Sequence, residues 1–375
     1  MKILIYLGHP AQYHFFKFII KNLKSKGHDI TLLLKTKDIL EELVRQDGVS
    51  YINIQNKIRK NNTLSILLAQ IQRTFKVLRI AKKKKVNLII GTDASVAQAA
   101  KLLRIKSITV LEDDISVIPK LAKITYPFSD SIVVPTVCDV GKWHYKKIPY
   151  EGYMKLSYLH PNYFAGDKNI VSKYINCEKF ILIRLAQLTA HHDVGINGLN
   201  VELVLKIIEI ANQTGHNVFI SSEARLDDRI TRYQLKIETR DIHHVMASAS
   251  LLVSDSQSMS VEAAMLGIPS IRFSDFSGRI SVLEELEHKY HLTFGVKTSQ
   301  SKELIKIIQN MLIDKELSDK FTTRREQMLS DKIDVTAFFV WLIENYPDSK
   351  EIIKKDFNFQ YNFKLLLSRK PHSNR

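Results

Sequence analysis

Short apolar runs alternate along the chain with longer segments whose apolar positions recur every three or four residues, the signature of strands alternating with amphipathic helices. Lys2–Leu7 reads as a first strand, followed by a helix from about His14 to Lys26 that Gly27 closes, and a strand at His28–Leu34. The pattern then predicts helices over Thr36–Asp47, Leu64–Lys84, Ser95–Leu103 and Val117–Ile124, and strands at Ser50–Ile54, Leu88–Ile90, Ser107–Leu111 and Ser131–Val134. From Pro135 to Asn176 the rhythm breaks into a Tyr-, Pro- and Gly-rich connection. It restarts with strands at Lys179–Arg184, Asn217–Ser221, Leu251–Val253 and Ser270–Phe273. Helices are predicted over Leu199–Thr214, Asp241–Ser248, Met259–Leu266, Ser301–Leu312, Ser318–Leu329 and Asp331–Glu344. Continuous apolar strands separated by helices imply parallel sheets covered on both faces. The expected architecture is α/β: two doubly wound parallel-sheet domains, residues 1–160 and 161–345, facing across a cleft, then a basic tail at 346–375.

Parallel sheets bind ligands at the carboxyl ends of their strands, so the residues there are the candidates for chemistry. The segment Val253–Arg272 is the most informative. A strand runs into the polar turn Ser254-Asp255-Ser256-Gln257-Ser258, and a helix opens at Met259 and stops at Gly267, with Pro269 beyond. Free N–H groups at that helix start suit an anion such as a phosphate, and Glu262, one turn in, is placed to accept hydrogen bonds from sugar hydroxyls. An ordinary capped crossover has the same pattern. Arg184 ends a neighbouring strand, where a guanidinium can meet a diphosphate in bidentate fashion. Ser221, Ser222 and Glu223 end the next, and Arg272 and Arg279 follow the central helix. In the first half the strand ends carry His9 and His14, Asp93, and Glu112-Asp113-Asp114. An imidazole titrates near neutral pH unperturbed and can serve as a base. Three adjacent carboxylates can bind a divalent cation, but no wider ligand pattern accompanies them, and no metal is expected. His191-His192-Asp193 reads as an exposed polar loop.

Asp255, Ser256, Glu262, Ala263, Leu266, Gly267 and Pro269 match, without a gap, the donor-binding pattern of UDP-GlcNAc 2-epimerase, and the stretch resembles the equivalent segment of GT-B glycosyltransferases. Gln257 and Ser258 stand where that pattern has two glycines, which let the backbone approach a diphosphate closely. His14-Phe15-Phe16-Lys17 and Lys26-Gly27-His28-Asp29 resemble the opening of the family known as domain of unknown function 354. In the related lipid-II-forming GlcNAc transferases a His occupies a place similar to His14. The resemblance implies a GT-B fold and a glycosyltransferase using a nucleotide-diphosphate sugar, UDP-linked, with no cofactor. Arg184, Ser256, Ser258 and Glu262 would hold the nucleotide sugar, and His14 or Asp93 would be the base toward the acceptor. Asp93 and Glu112 also fall where the epimerases carry catalytic acids, which keeps a nucleotide-sugar 2-epimerase as an alternative. No residue matches a further epimerase Glu, expected near Pro119-Lys120. A non-catalytic sugar-nucleotide or polyanion-binding protein is the third reading.

Composition changes this picture in one respect. The 375 residues are 45% hydrophobic and 25% charged, ordinary for a globular protein. Two distant cysteines, Cys138 and Cys177, imply a reduced, cytoplasmic protein, and no apolar run is long enough for a signal peptide or a membrane span. The net charge of +16, however, is uneven: Lys57 to Lys85 holds ten Lys/Arg and no Asp or Glu. Such a face attracts anionic membrane or nucleic acid, or is simply solvated. No zinc-finger, RRM, KH or basic-zipper pattern supports nucleic acid. The expectation is peripheral contact with the inner face of a membrane and a lipid-linked or anionic acceptor in envelope polysaccharide synthesis. Absent Walker, Gly-x-Gly-x-x-Gly, Gly-x-Ser-x-Gly and His-Glu-x-x-His motifs argue against P-loop, dinucleotide, α/β-hydrolase and zincin chemistry.

Overall fold

The computed structural model describes residues 1–55, 63–185, 198–222 and 225–364. Its first half carries β1 (Lys2–Leu7), α1 (Pro10–Ser25), β2 (Asp29–Lys35), α2 (Leu40–Gln46), β3 (Ile52–Gln55), α3 (Thr63–Lys84) and β4 (Leu88–Gly91). Then follow α4 (Ala94–Leu103), β5 (Lys106–Val110), α5 (Pro119–Thr125), β6 (Ser131–Pro135) and β7 (Lys147–Tyr150). These strands form one seven-stranded parallel sheet in the order β3-β2-β1-β4-β5-β6-β7. Short helices α6 (Leu156–Leu159) and α7 (Lys168–Val171) lead into β8 (Phe180–Leu185), α8 (Val201–Gln213), β9 (Asn217–Ser222), α9 (Ile242–Met246) and β10 (Leu251–Ser254). The second half continues through α10 (Gln257–Leu266), β11 (Ser270–Phe273), α11 (Ser281–His288), β12 (Phe294–Val296) and α12 (Ser301–Ile313). Its five parallel strands are ordered β12-β11-β10-β8-β9. Helices α13 (Leu317–Asp331), α14 (Val335–Glu344) and α15 (Asp348–Lys355) close the chain with a 3-10 segment, Phe357–Phe363.

Helices cover both sheets on both faces, which is why Ile3 to Leu7 and Phe180 to Ile183 are apolar at every position and buried without exception. Strand order reverses between β1 and β4 in the first sheet and between β8 and β10 in the second, and such switch points open crevices at the carboxyl ends. The two-domain α/β expectation therefore holds, with several boundaries moved. The loop expected between Gly8 and Tyr13 is mostly helix: His9 caps α1 by accepting the Ala11 N–H on Nδ1 at 3.2 Å, and Pro10 suits the first helical position. Ser256, not the turn after it, caps α10, so the helix begins two residues early and takes in Gln257 and Ser258. Strand β7 lies within the stretch read as irregular. Its Pro149 hides the signal but is tolerated because β7 is an edge strand. Helices α11 and α15 and strand β12 were not anticipated either.

The expected basic tail is folded through Lys364 onto the first sheet. Helix α14 packs on α1 with Phe339 edge-on to Phe15, ring centroids 4.9 Å apart, and Glu344 meets Lys26 at 2.6 Å and His28 at 3.0 Å. Tyr346 bonds Ser131 at 2.8 Å, Lys350 donates to the Asp130 carbonyl, and buried Gln360 accepts the Glu151 N–H. The C-terminal helices thus pack back across both halves. Among the described residues no helix is long and apolar enough to cross a membrane.

Candidate functional site

A cavity of about 350 Å³ opens where the two halves meet. From the first sheet, the residues after β1 (His9, Gln12), β4 (Thr92) and β5 (Leu111, Glu112, Asp113) line it. From the second half it takes the start of α10 (Gln257, Ser258, Val261) and the start of α11 with the residue before it (Ile280, Val282, Leu283), while Met154 and Lys155 form its floor from the connection. Gln12 ties the rim together by accepting the Gly8 N–H and donating to Thr92 Oγ1 at 2.5 Å.

The charged centre of this cavity is a pair. Glu112 is held by two donors, the Met154 N–H at 2.5 Å and the Lys155 ammonium at 2.9 Å. Lys155 is buried. Burial works against its charge, but Glu112, Glu262 and Asp113 outweigh it and hold the ammonium above its ordinary range. Asp114 is diverted elsewhere: it accepts the Asp139 N–H, the Ser281 N–H and the Ser281 hydroxyl, all at 2.8–2.9 Å. The three consecutive carboxylates therefore do not converge, and among the described residues no three His, Cys, Asp or Glu side chains are grouped to hold a metal ion.

Beside the cavity lies a second, largely buried cluster. Glu262 of α10 accepts the Tyr158 hydroxyl at 2.7 Å and faces His243 Nε2 at 3.5 Å. Burial alone would raise its pKa, yet His243, Tyr158 and Lys155 outweigh that and hold it down at about 2. His14 packs its ring 5.3 Å from Tyr158 and 5.4 Å from His243. Burial and the adjacent His243 push its pKa down to about 3, and its buried Nδ1 has no hydrogen-bond partner among the described residues. His14 is therefore neutral at pH 7 and sits among side chains from both halves; the histidine lining the cavity is His9.

The remaining candidates are distributed as follows. Asp93 caps α4, accepting from the Ser95 N–H and hydroxyl on Oδ1, and its Oδ2 lies 3.4 Å from Arg73. Burial would raise it, but Arg73 and Ser95 hold it below the usual carboxylate range. Ser256 accepts the Met259 N–H as the α10 cap, and Ser254 accepts the Ser256 N–H. Asp255 is buried against Gly198, where an added Cβ would come within 2.5 Å of its carboxylate. Gln257 opens α10 with a buried Nε2 that has no partner among the described residues. Met259 is buried under the helix start. Arg184 donates to Ser221 at 2.9 Å across adjacent strand ends, with Ser222 next to it; none of the three lines the cavity. Glu223 and the His191-His192-Asp193 loop lie outside the described residues. Arg279 is exposed, its guanidinium over Phe276. Arg272, expected to reach the cleft, is fully buried and paired with Glu287, because Gly295 leaves room for its guanidinium.

Sequence reasoning missed Lys155, Tyr158 and His243. The first two lie in Tyr153-Met-Lys-Leu-Ser-Tyr158, inside the stretch read as irregular. His243 lies on a five-residue helix with nothing in its pattern to mark it.

No curated protein matches the chain. Solved structures with this two-sheet arrangement include the S. aureus MnaA–UDP co-structure, 13% identical with a TM-score of 0.65, covering 93% of this chain and 97% of that one. The UDP-N-acetylglucosamine 2-epimerase from Rickettsia bellii is 13% identical, TM-score 0.65, covering 95% and 99%. The spinosyn rhamnosyltransferase SpnG complexed with spinosyn aglycone is 12% identical, TM-score 0.58, covering 92% and 100%. At such identities the likeness is one of fold, and the fold is GT-B. The model of one family, described as protein of unknown function DUF354, matches residues 1–339, and the chain belongs to that family.

Proposed function

We propose that this protein is a glycosyltransferase that takes a sugar from a nucleotide diphosphate, UDP-linked, and passes it to an acceptor in envelope polysaccharide or glycoconjugate synthesis. The observation that supports the reading is the cavity itself, whose lining includes both the start of α10 and the Glu112–Lys155 pair. The helix start suits the diphosphate, and Gln257 Nε2, buried without a partner among the described residues, is a donor left over for it. Glu112 is the base this geometry favours over His14 and Asp93. His14 is too weak a base while it packs beside His243, and neither His14 nor Asp93 lines the cavity, as Glu112 does. In the step proposed, the acceptor hydroxyl gives its proton to Glu112 as its oxygen bonds the anomeric carbon. The bond from that carbon to the diphosphate breaks, and the charge on the departing diphosphate meets the α10 N–H groups. No cofactor enters this scheme.

A nucleotide-sugar 2-epimerase is the second reading, favoured by the acid–base groups Glu112, Asp113 and Lys155 in the cavity lining. Calorimetry with UDP, GDP, CDP, CMP and their common sugars tests the donor site. Binding of UDP or a UDP-sugar is expected, retained in Glu112→Gln, whose sugar transfer should fall at least about a hundredfold. Epimerisation of the donor without acceptor would replace the transferase reading. A folded protein that binds none of the nucleotides would leave a polyanion-binding role.

A further inference from the structure

The solvent face of α3 pairs an apolar stripe with a basic one. Leu68, Ile71 and Phe75 are 51%, 43% and 63% exposed, and Arg79 and Lys82 are exposed beyond them. The spacings of three, four, four and three residues put all five on one helical face. The opposite face is anchored: Val77 and Ala81 are buried in the first domain, and Arg73 and Thr74 bond Gln55, Asp93 and Gln98. This helix therefore cannot turn its apolar stripe inward. Neighbouring α4 and α5, against which α3 and α4 pack in turn, repeat the mixture, with Leu102 and Ile124 exposed at 66% and 44% beside exposed Lys101, Lys120 and Lys123. Exposed aliphatic and aromatic side chains flanked by cations, on a segment with no acidic residue from Lys57 to Lys85, match the chemistry of an anionic bilayer surface. A nucleic acid would reward the charge but not the aliphatic stripe.

We infer that the α3 face docks on an anionic lipid bilayer. The apolar half of α3 lies toward the rim, because Arg73 reaches Asp93, whose neighbour Thr92 lines the cavity. Docking there brings the cavity mouth to the membrane, and the acceptor, in the reading proposed above, is then an amphiphile anchored in that bilayer. Only this last step rests on the transferase reading; docking itself does not.

Flotation of the full chain with vesicles tests it, using phosphatidylcholine alone and phosphatidylcholine mixed with phosphatidylglycerol. Binding to the mixed vesicles is expected, weakening as salt is raised. Ile71→Ser/Phe75→Ser should lower that binding by about tenfold or more, and Lys82→Glu/Lys83→Glu should lower it too. Ile313→Ser, an equally exposed apolar position on α12 at 68%, should change nothing. UDP binding by the Ile71→Ser/Phe75→Ser variant should be unaffected, so a failure of docking is separable from a failure of the donor site. No flotation at low salt, or undiminished flotation of the double variant, overturns the inference. Light scattering that shows a dimer dissociated by Ile71→Ser/Phe75→Ser also overturns it, by assigning the stripe to a second copy of the chain.

Discussion

Replacing Glu262 by Gln tests whether this carboxylate serves the fold or a ligand. The substitution keeps the shape and an oxygen for the Tyr158 hydroxyl but removes the charge facing His243 at 3.5 Å. Glu262 is held at about 2 against an ordinary 4.5. At about 1.4 kcal/mol per pH unit, that gap is worth roughly 3 kcal/mol to the folded state. At roughly 2.1 cal/mol/K of unfolding entropy per residue over 375 residues, a loss of about 3 kcal/mol lowers the melting temperature by about 4 °C when both halves melt together. The pH dependence has a definite sign. A carboxylate depressed in the folded state contributes fully above its unfolded pKa near 4.5, and the contribution disappears as pH falls toward about 2. The melting-temperature gap between wild type and Glu262→Gln, read by differential scanning calorimetry, should be about 4 °C at neutral pH and should narrow progressively below about pH 4.5, closing near about pH 2. Equal melting temperatures at neutral pH, or a gap unchanged at about pH 3, would falsify the buried ion pair and return Glu262 to the role of a free acceptor for sugar hydroxyls.

Two further substitutions probe packing, one at a strand end of the second half and one in the connection between the halves. Arg272→Met strands the Glu287 carboxylate, which among the described residues keeps only the Gly295 N–H at 2.8 Å, and should cost about 3–5 kcal/mol. Arg272→Met/Glu287→Leu should recover part of that loss, and a urea midpoint for the pair no better than the single variant would count against a buried ion pair. Gly152→Ala places a Cβ 2.5 Å from Val335 Cγ2, where the connection passes under α14. A loss of about 1–3 kcal/mol is expected, relieved by adding Val335→Ala; if the second change gives no relief, the contact is not the constraint.

Strand positions were legible in the sequence because both sheets are covered on both faces, so strands such as Ile3–Leu7 carry an unbroken apolar run that needs no tertiary information. Elements lacking such a run escaped. β7 contains Pro149 and occupies an edge, β12 is three residues long, and α11 opens on Ser281, whose N–H and hydroxyl bond Asp114 in the other half. α15 lies in a segment whose lysines suggested a solvated tail, although Lys350 is spent on the Asp130 carbonyl. The start of α1 was misplaced because His9 caps through a ring nitrogen, outside the Ser/Thr/Asp/Asn caps that mark most helix starts.

The site was legible only by strand ends, and the reason is chemical. Sequence order tells which residues follow a strand but not which will be consumed by the fold once they arrive. Asp93, Asp114, Ser256 and Glu262 all sit where a ligand-binding residue should, and each is already committed: to a helix cap, to Ser281, to Met259, to Tyr158 and His243. Lining the cavity instead is a pair of which the strand ends select only one member, Glu112, because its partner Lys155 comes from the connection between the halves. A cation supplied by that connection and bonded to a carboxylate of the first domain, beside the first turn of α10, responds to the placement of both halves at once. In the reading proposed above, the chemistry of this cleft is tied to how the two domains are joined, more than to the glycines that Gln257 and Ser258 replace. Gln257 returns a buried amide donor at the point where the missing glycine would have left only backbone.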